Sequence, residues 1–252
     1  MGVMRMEERV SVLNYDVRLL KAKEFRQALE TFCQSGHLQS MLFLSVQILT
    51  EAMDSKEYRD KVSHFQLLLP GEEDVLMMHP VKQYKEQKLM MDAEYLDVIL
   101  TYLKESQHTL YLVGDQYEKL QMFVEYCKSE YEDLQIVGSF VGDQKMNDDC
   151  LLNDINATCP DVILTAIAPQ LQENWILNNV DKLNGRVCIG ADILVCGLLE
   201  RFITAIEQQN HGMLYNRCAE LKQSFIGNIQ RKVFRMDYEH YMKQMEIKEE
   251  RG

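Results

Sequence analysis

Between residues 109 and 206 the chain repeats one pattern four times: a short apolar run, then a polar segment with apolar residues at helical spacing. The runs are TLYLVG (109–114), LQIVGSF (134–140), VILTAI (162–167) and GRVCIGAD (185–192). Each is too short and too rich in β-branched residues for a helix, and apolar positions follow one another, as in a strand buried on both faces of a parallel sheet. The segments between them place Leu120, Phe123, Val124 and Cys127, then Leu151, Leu152 and Ile155, then Trp175, Ile176 and Val180, on single helical faces. Alternation of this kind requires right-handed crossovers and a twisted sheet. The expected fold class is therefore α/β: a Rossmann-like, mainly parallel sheet with helices on both faces.

The first hundred residues are less regular. Leu20, Phe25, Ala28, Leu29 and Phe32 give residues 17–32 helical spacing, and MLFLSV (41–46) reads as a strand. A helix is expected from Ile48 towards Tyr58, a strand over 65–69 ended by Pro70-Gly71, and a helix over 94–103. Residues 77–91 show no period. The chain divides into one α/β domain over residues 1–210 and a C-terminal segment over 211–252.

At 252 residues and 46% hydrophobic content the chain can bury a full core. A net charge of −12 argues against general nucleic-acid binding, which needs a concentrated basic surface. The seven cysteines are scattered, without a CxxC pair, and read as free thiols in a reducing compartment rather than disulfides or zinc ligands. The six histidines are dispersed and suggest no metal site. With neither a signal-peptide core nor a run long enough to span a bilayer, a cytoplasmic protein is expected.

Open α/β sheets bind ligands at the carboxyl ends of their strands. Gln172 and Glu173 fall there, in the first helical turn after the run 162–167, and can hydrogen-bond a polar ligand; the same glutamate also suits a helix N-terminus. Glu72, Glu73 and Asp74 follow another strand and turn, as a catalytic cluster, a cation site or the acidic first turn of a helix. Asp192 is a polar candidate or a helix N-cap. Gly114-Asp115 does not make a dinucleotide loop, because one glycine stands where three are needed.

The order TLYLVG, LQIVGSFVG, INATCPDVILTAIAPQLQENWI and RVCIGADILVCGLLERF resembles the WecG/TagA/CpsF glycosyltransferases (family 26). The family's QE pair falls on Gln172 and Glu173, its following aromatic on Trp175, and the arginine of its RAP tripeptide on Arg201. More loosely, SVQILTEAMDSKEYRDKVSHFQLLLPGEEDV resembles the family segment that runs from "vNae" to "lpDG", which puts Ser45 at the asparagine. The resemblance implies transfer of an N-acetylhexosamine from a UDP-sugar to a lipid-linked acceptor in polysaccharide or teichoic acid synthesis. It further implies inversion at the anomeric carbon and no metal or other cofactor. It makes Gln172, Glu173, Arg201, Ser45 and Asp192 the expected substrate-binding residues. The family's aspartate base falls on Gly71, so Glu72 or Glu73 is the expected substitute. The other expectation is a family member that keeps the fold as a non-catalytic binding or assembly module.

Beyond residue 210, Leu214, Cys218, Leu221, Phe225, Ile229 and Val233 form an apolar stripe. Arg217, Lys222, Arg231, Lys232 and Arg235 stand against Glu220 alone, the pattern of a basic amphipathic helix drawn to an anionic membrane, although such a stripe also suits packing on the sheet.

Overall fold

The computed structural model describes residues 8–77, 93–142 and 149–208. Strands β1 (Glu8–Val12) and β2 (Tyr15–Leu19) form an antiparallel hairpin whose two turn residues, Leu13 and Asn14, both have positive φ. A turn of that hand matches the twist of the strands it joins. The hairpin corrects the helix expected from residue 17. Tyr15, Val17 and Leu19 are buried while Asp16 is exposed, a strand period, and helix α1 (Ala22–Cys33) begins only afterwards.

The chain continues through β3 (Gln39–Leu44), α2 (Val46–Asp54), α3 (Lys56–Val62), β4 (Leu67–Pro70), α4 (Glu73–Met77) and α5 (Ala93–Ser106). Two helices stand where one was expected between Ile48 and Tyr58. Ser55 takes an extended backbone there, and its hydroxyl accepts the Tyr58 N–H at the start of the second. Then follow β5 (Thr109–Gly114), α6 (Tyr117–Glu130), β6 (Gln135–Val141), α7 (Asp149–Thr158), β7 (Val162–Ala166), α8 (Leu171–Asn179), β8 (Val187–Gly190) and α9 (Asp192–Gln208).

All eight strands join one sheet in the order β1-β2-β4-β3-β8-β7-β5-β6, parallel except for the β1–β2 pair. The last of the described strands, β8, therefore lies between β3 and β7 and joins the two halves. Strand side chains alternate between two cores. Met41, Phe43, Leu112, Leu164 and Ile189 meet α1, α5, α6 and α9 on one face. Leu42, Leu44, Tyr111, Ile163 and Cys188 meet α2, α3, α4, α7 and α8 on the other. Val162, Ile163 and Leu164 are fully buried, as a central strand requires.

Among the described residues no helix is long and apolar enough to cross a membrane. The basic stripe over residues 214–236 lies outside them.

Candidate functional site

Neighbouring strands β3 and β8 send their following helices to opposite faces, α2 to one and α9 to the other. Where helices part in this way a crevice opens beyond the carboxyl ends of the strands. Here a cleft of about 100 Å³ lies at that point, lined among others by Ser45, Val46, Glu72, Pro169, Gln172 and Asp192.

The wall on the β3 side is the N-terminus of α2. Ser45 is its N-cap, accepting the Ile48 N–H at 3.2 Å. The Glu72 carboxylate arrives from the end of β4 and accepts the Val46 N–H at 2.6 Å. Two of the helix's orphan donors are thus satisfied, one by a neighbouring residue and one by a charge favoured by the helix dipole. Glu72 is only 7% exposed, yet it lines the cleft. Glu73 is exposed in the first turn of α4 and lies outside the lining. Gly71, between β4 and Glu72, is closed in: a Cβ there would meet Ile193 Cγ2 at 2.4 Å and the Leu44 carbonyl oxygen at 2.8 Å. An aspartate cannot stand at position 71 unless the backbone moves.

The opposite wall is the start of α8. Gln172, 1% exposed, lies against β8, where Gly190 leaves it room; a Cβ on Gly190 would be 3.1 Å from Gln172 Nε2. The Thr165 hydroxyl lies 2.8 Å from Gln172 Oε1 and 3.1 Å from the Ile189 carbonyl oxygen. Gln172 Nε2 donates to Glu173 Oε1 at 3.4 Å. Glu173 is fully buried and does not line the cleft. Its Oε2 accepts the Gln170 N–H at 2.6 Å and the Tyr58 hydroxyl of α3 at 2.9 Å. Burial pushes the Glu173 carboxyl above its usual range, against the lowering pull of those hydrogen bonds. Glu173 thus fixes the entry to α8, where Gln170 takes a φ of 69°.

Asp192 opens α9 at the end of β8. Its Oδ1 lies 2.8 Å from Lys119 Nζ, which is also 2.9 Å from Asp115 Oδ1. Asp115, at the end of β5, accepts the Ala168 N–H through Oδ2 at 2.7 Å. Lys119 is 3% exposed. Burial alone would lower its ammonium, but the Asp192 and Asp115 carboxylates outweigh it and hold the group charged. Burial raises the Asp192 carboxyl, with Lys119 opposing. Arg201 is exposed, nine residues further along α9, so about 13 Å from the Asp192 end.

The structure thus brings Ser45, Glu72, Gln172 and Asp192 to one cleft and places Glu73, Glu173 and Arg201 outside its lining. Lys119, Tyr58 and Thr165 were not anticipated. Asp115 and Lys119 stand four residues apart, the spacing of neighbours on one helical face, and that was the available signal. Tyr58 and Thr165 carry no local pattern; only the fold brings them to Glu173 and Gln172. No group of three or more potential metal ligands occurs among the described residues.

Fold and cleft together define a Rossmann-like α/β protein with a carboxylate- and amide-lined cleft at the junction of its two half-sheets. The model of the WecG/TagA/CpsF glycosyl transferase family matches residues 10–195, from the β1–β2 hairpin into α9. The chain belongs to that family. No curated protein matches it.

Proposed function

We propose that the protein transfers an N-acetylhexosamine from a UDP-sugar to a lipid-linked acceptor, with Glu72 as the base that replaces the aspartate missing at Gly71. The observation that carries this reading is the meeting of Glu72 and Gln172, one from each half of the sheet, on a single cleft. Transfer needs a carboxylate to take the acceptor hydroxyl's proton as that oxygen attacks the anomeric carbon and UDP departs on the opposite side. Glu72 supplies the carboxylate, and its bond from the Val46 N–H holds it at the cleft wall. Gln172 and Ser45 hold sugar hydroxyls, Asp192 takes a further hydroxyl, and Glu173 keeps Gln172 in place. A space of about 100 Å³ takes only part of a sugar nucleotide, so the diphosphate extends along α9 in the direction of Arg201. Residues 211–252 serve as the contact with the anionic membrane that carries the acceptor.

The test is UDP release from UDP-N-acetylglucosamine and UDP-N-acetylmannosamine in the presence of a lipid-diphosphate-linked sugar. Glu72→Gln should lower turnover by ~10²–10⁴-fold while leaving donor affinity within a few fold. A second reading, a binding module without transfer, is favoured by one observation, the closed packing around Gly71. Donor binding with no UDP release above background, in wild type and Glu72→Gln alike, would establish that second reading. Co-sedimentation of the full chain with anionic vesicles, lost when residues after 210 are removed, tests the membrane contact.

A further inference from the structure

Behind the cleft, on the α9 side, sits a buried cluster of which the proposed transfer uses only Asp192. Lys119 of α6 stands between Asp115 and Asp192, at 2.9 and 2.8 Å, with its side chain almost wholly out of solvent. A lysine on a single isolated helix face would not be buried without compensation, because desolvating an ammonium costs several kcal/mol. Two carboxylates supply that compensation. They outnumber the ammonium two to one, and Asp192, which keeps 16% of its side chain exposed, lines the cleft.

The cluster reaches the cleft by a second route. Asp115 accepts the Ala168 N–H at 2.7 Å, and the next residue, Pro169, is part of the lining. One ammonium therefore ties together the carboxyl ends of β5, β7 and β8, the last two through groups adjoining the cleft.

We propose that Lys119 is a positioning residue of this site, which favours the ionised form of Asp192 at the cleft and, through Asp115, fixes the Ala168–Pro169 turn. The part that concerns the ligand rests on the sugar-nucleotide reading above; the part that concerns Asp192 does not. The groups facing the Asp192 carboxylate are Lys119 from α6, Asp115 from the β5–α6 turn and Cys196, whose Sγ lies 3.8 Å away on α9 itself; Glu72 lines the same cleft. Of these only Lys119 favours the ionised form by its charge. Without it, burial and the neighbouring Asp115 both act to protonate Asp192.

The decisive measurement is the titration of Asp192 in the ligand-free full chain, followed by NMR of carboxyl carbons in protein labelled at aspartate, with Asp192→Asn identifying the signal. Lys119→Met should raise the Asp192 midpoint by about one to three pH units, the usual effect of losing an adjacent opposite charge. Lys119→Arg should restore it. Should Lys119→Met not fold, Asp115→Asn provides the converse arm: leaving Lys119 to Asp192 alone, it should lower the midpoint. An Asp192 midpoint indifferent to these changes overturns the proposal. Calorimetry with UDP-N-acetylglucosamine at pH 7 then reads the link to the cleft, where Lys119→Met should bind ~10-fold more weakly and Lys119→Arg within a few fold of wild type. A moved titration with unchanged affinity overturns that link. If wild type binds no sugar nucleotide, the transfer reading fails, while the titration still decides whether Lys119 governs Asp192.

Discussion

On the β3–β4 side of the cleft, polar side chains serve the backbone: Ser45 and Glu72 each accept an N–H at the start of α2. On the β7 side they hold one another, Thr165 beside Gln172, Gln172 to Glu173, and Glu173 to Tyr58. A backbone N–H can donate to any oxygen of suitable reach, so the first wall should tolerate exchange of side chains. A chain of buried side chains depends on every member, so a change in the second should propagate.

The apolar cores beneath the two walls should not differ in this way. Leu42 of β3 and Leu164 of β7 are both fully buried, each between two neighbouring strands. Substituting either by alanine should cost ~2–5 kcal/mol in denaturant melts, the range for a leucine whose site cannot fully collapse. A cost below 1 kcal/mol at Leu42 with a full cost at Leu164 would mean that the half-sheets are not one cooperative core.

Two glycines sharpen the comparison. At Gly190 the closest group to an added Cβ is Leu42 Cδ1 at 2.6 Å, the end of a side chain that can turn away. At Gly71 the obstacles include the Leu44 carbonyl oxygen at 2.8 Å, which accepts the Gly71 N–H and cannot move without breaking the β3–β4 edge of the cleft. Gly71→Asp should therefore destabilise by ~1–3 kcal/mol or more and should not raise UDP release. Gly190→Ala should cost less but weaken donor binding, since Gln172 lies 3.1 Å away. Gain of transfer in Gly71→Asp would show that the carboxylate position at 71 is still usable and that Glu72 is not its replacement.

The same contrast explains what could be read in the sequence. The runs at 109–114 and 162–167 became β5 and β7 almost residue for residue, because strands buried on both faces are apolar throughout. The β1–β2 hairpin went unread, because Val17, Leu20 and Phe25 also fit a helical period and the positive-φ turn at Leu13-Asn14 lacks the glycine that usually marks it. Gln172 and Glu72 could be read as polar residues just past strand ends, and the structure places both on the cleft. That Glu173 is closed off by Tyr58, 115 residues away in the chain, was not, since no spacing encodes that contact. Nor does the chain between α9 and the terminus enter the comparison, so its basic stripe remains a property of the sequence.

Glu173 gives the second wall its own pH signature. Burial raises its carboxyl in the folded protein above the unfolded value, so the native state holds the proton more tightly. The stability it contributes is then fully present below the unfolded pKa of about 4.3 and is lost as pH rises through the folded value. Glu173→Gln removes the titration. The variant should lose ~1–3 kcal/mol at pH 4, where its amide oxygen can keep the Tyr58 and Gln170 donors only by turning its own N–H2 towards the Gln172 Nε2 donor, and a smaller amount at pH 8. A difference between the two proteins that does not vary with pH would mean that Glu173 titrates alike in both states.

The smallest expected effect lies on the first wall. The Ser45 oxygen accepts the Ile48 N–H, a contact whose loss at an N-cap costs ~1 kcal/mol, so Ser45→Ala should lower Tm by a few degrees. Asparagine caps as well as serine, and its carbonyl can reach the same N–H, so Ser45→Asn should melt within about a degree of wild type. The Glu72 carboxylate remains on the Val46 N–H in both variants and limits the loss in the first. Donor affinity separates the cap from any ligand contact. A serine hydroxyl that accepts from Ile48 still has its own proton to donate, and an asparagine offers its amide in a different place. Donor affinity should therefore fall in Ser45→Asn despite unchanged stability, if Ser45 touches the sugar as proposed. Equal stability with equal affinity would confine Ser45 to capping. A loss of stability in Ser45→Asn as large as in Ser45→Ala would break the comparison itself, because the first wall would then depend on one particular side chain as closely as the second does.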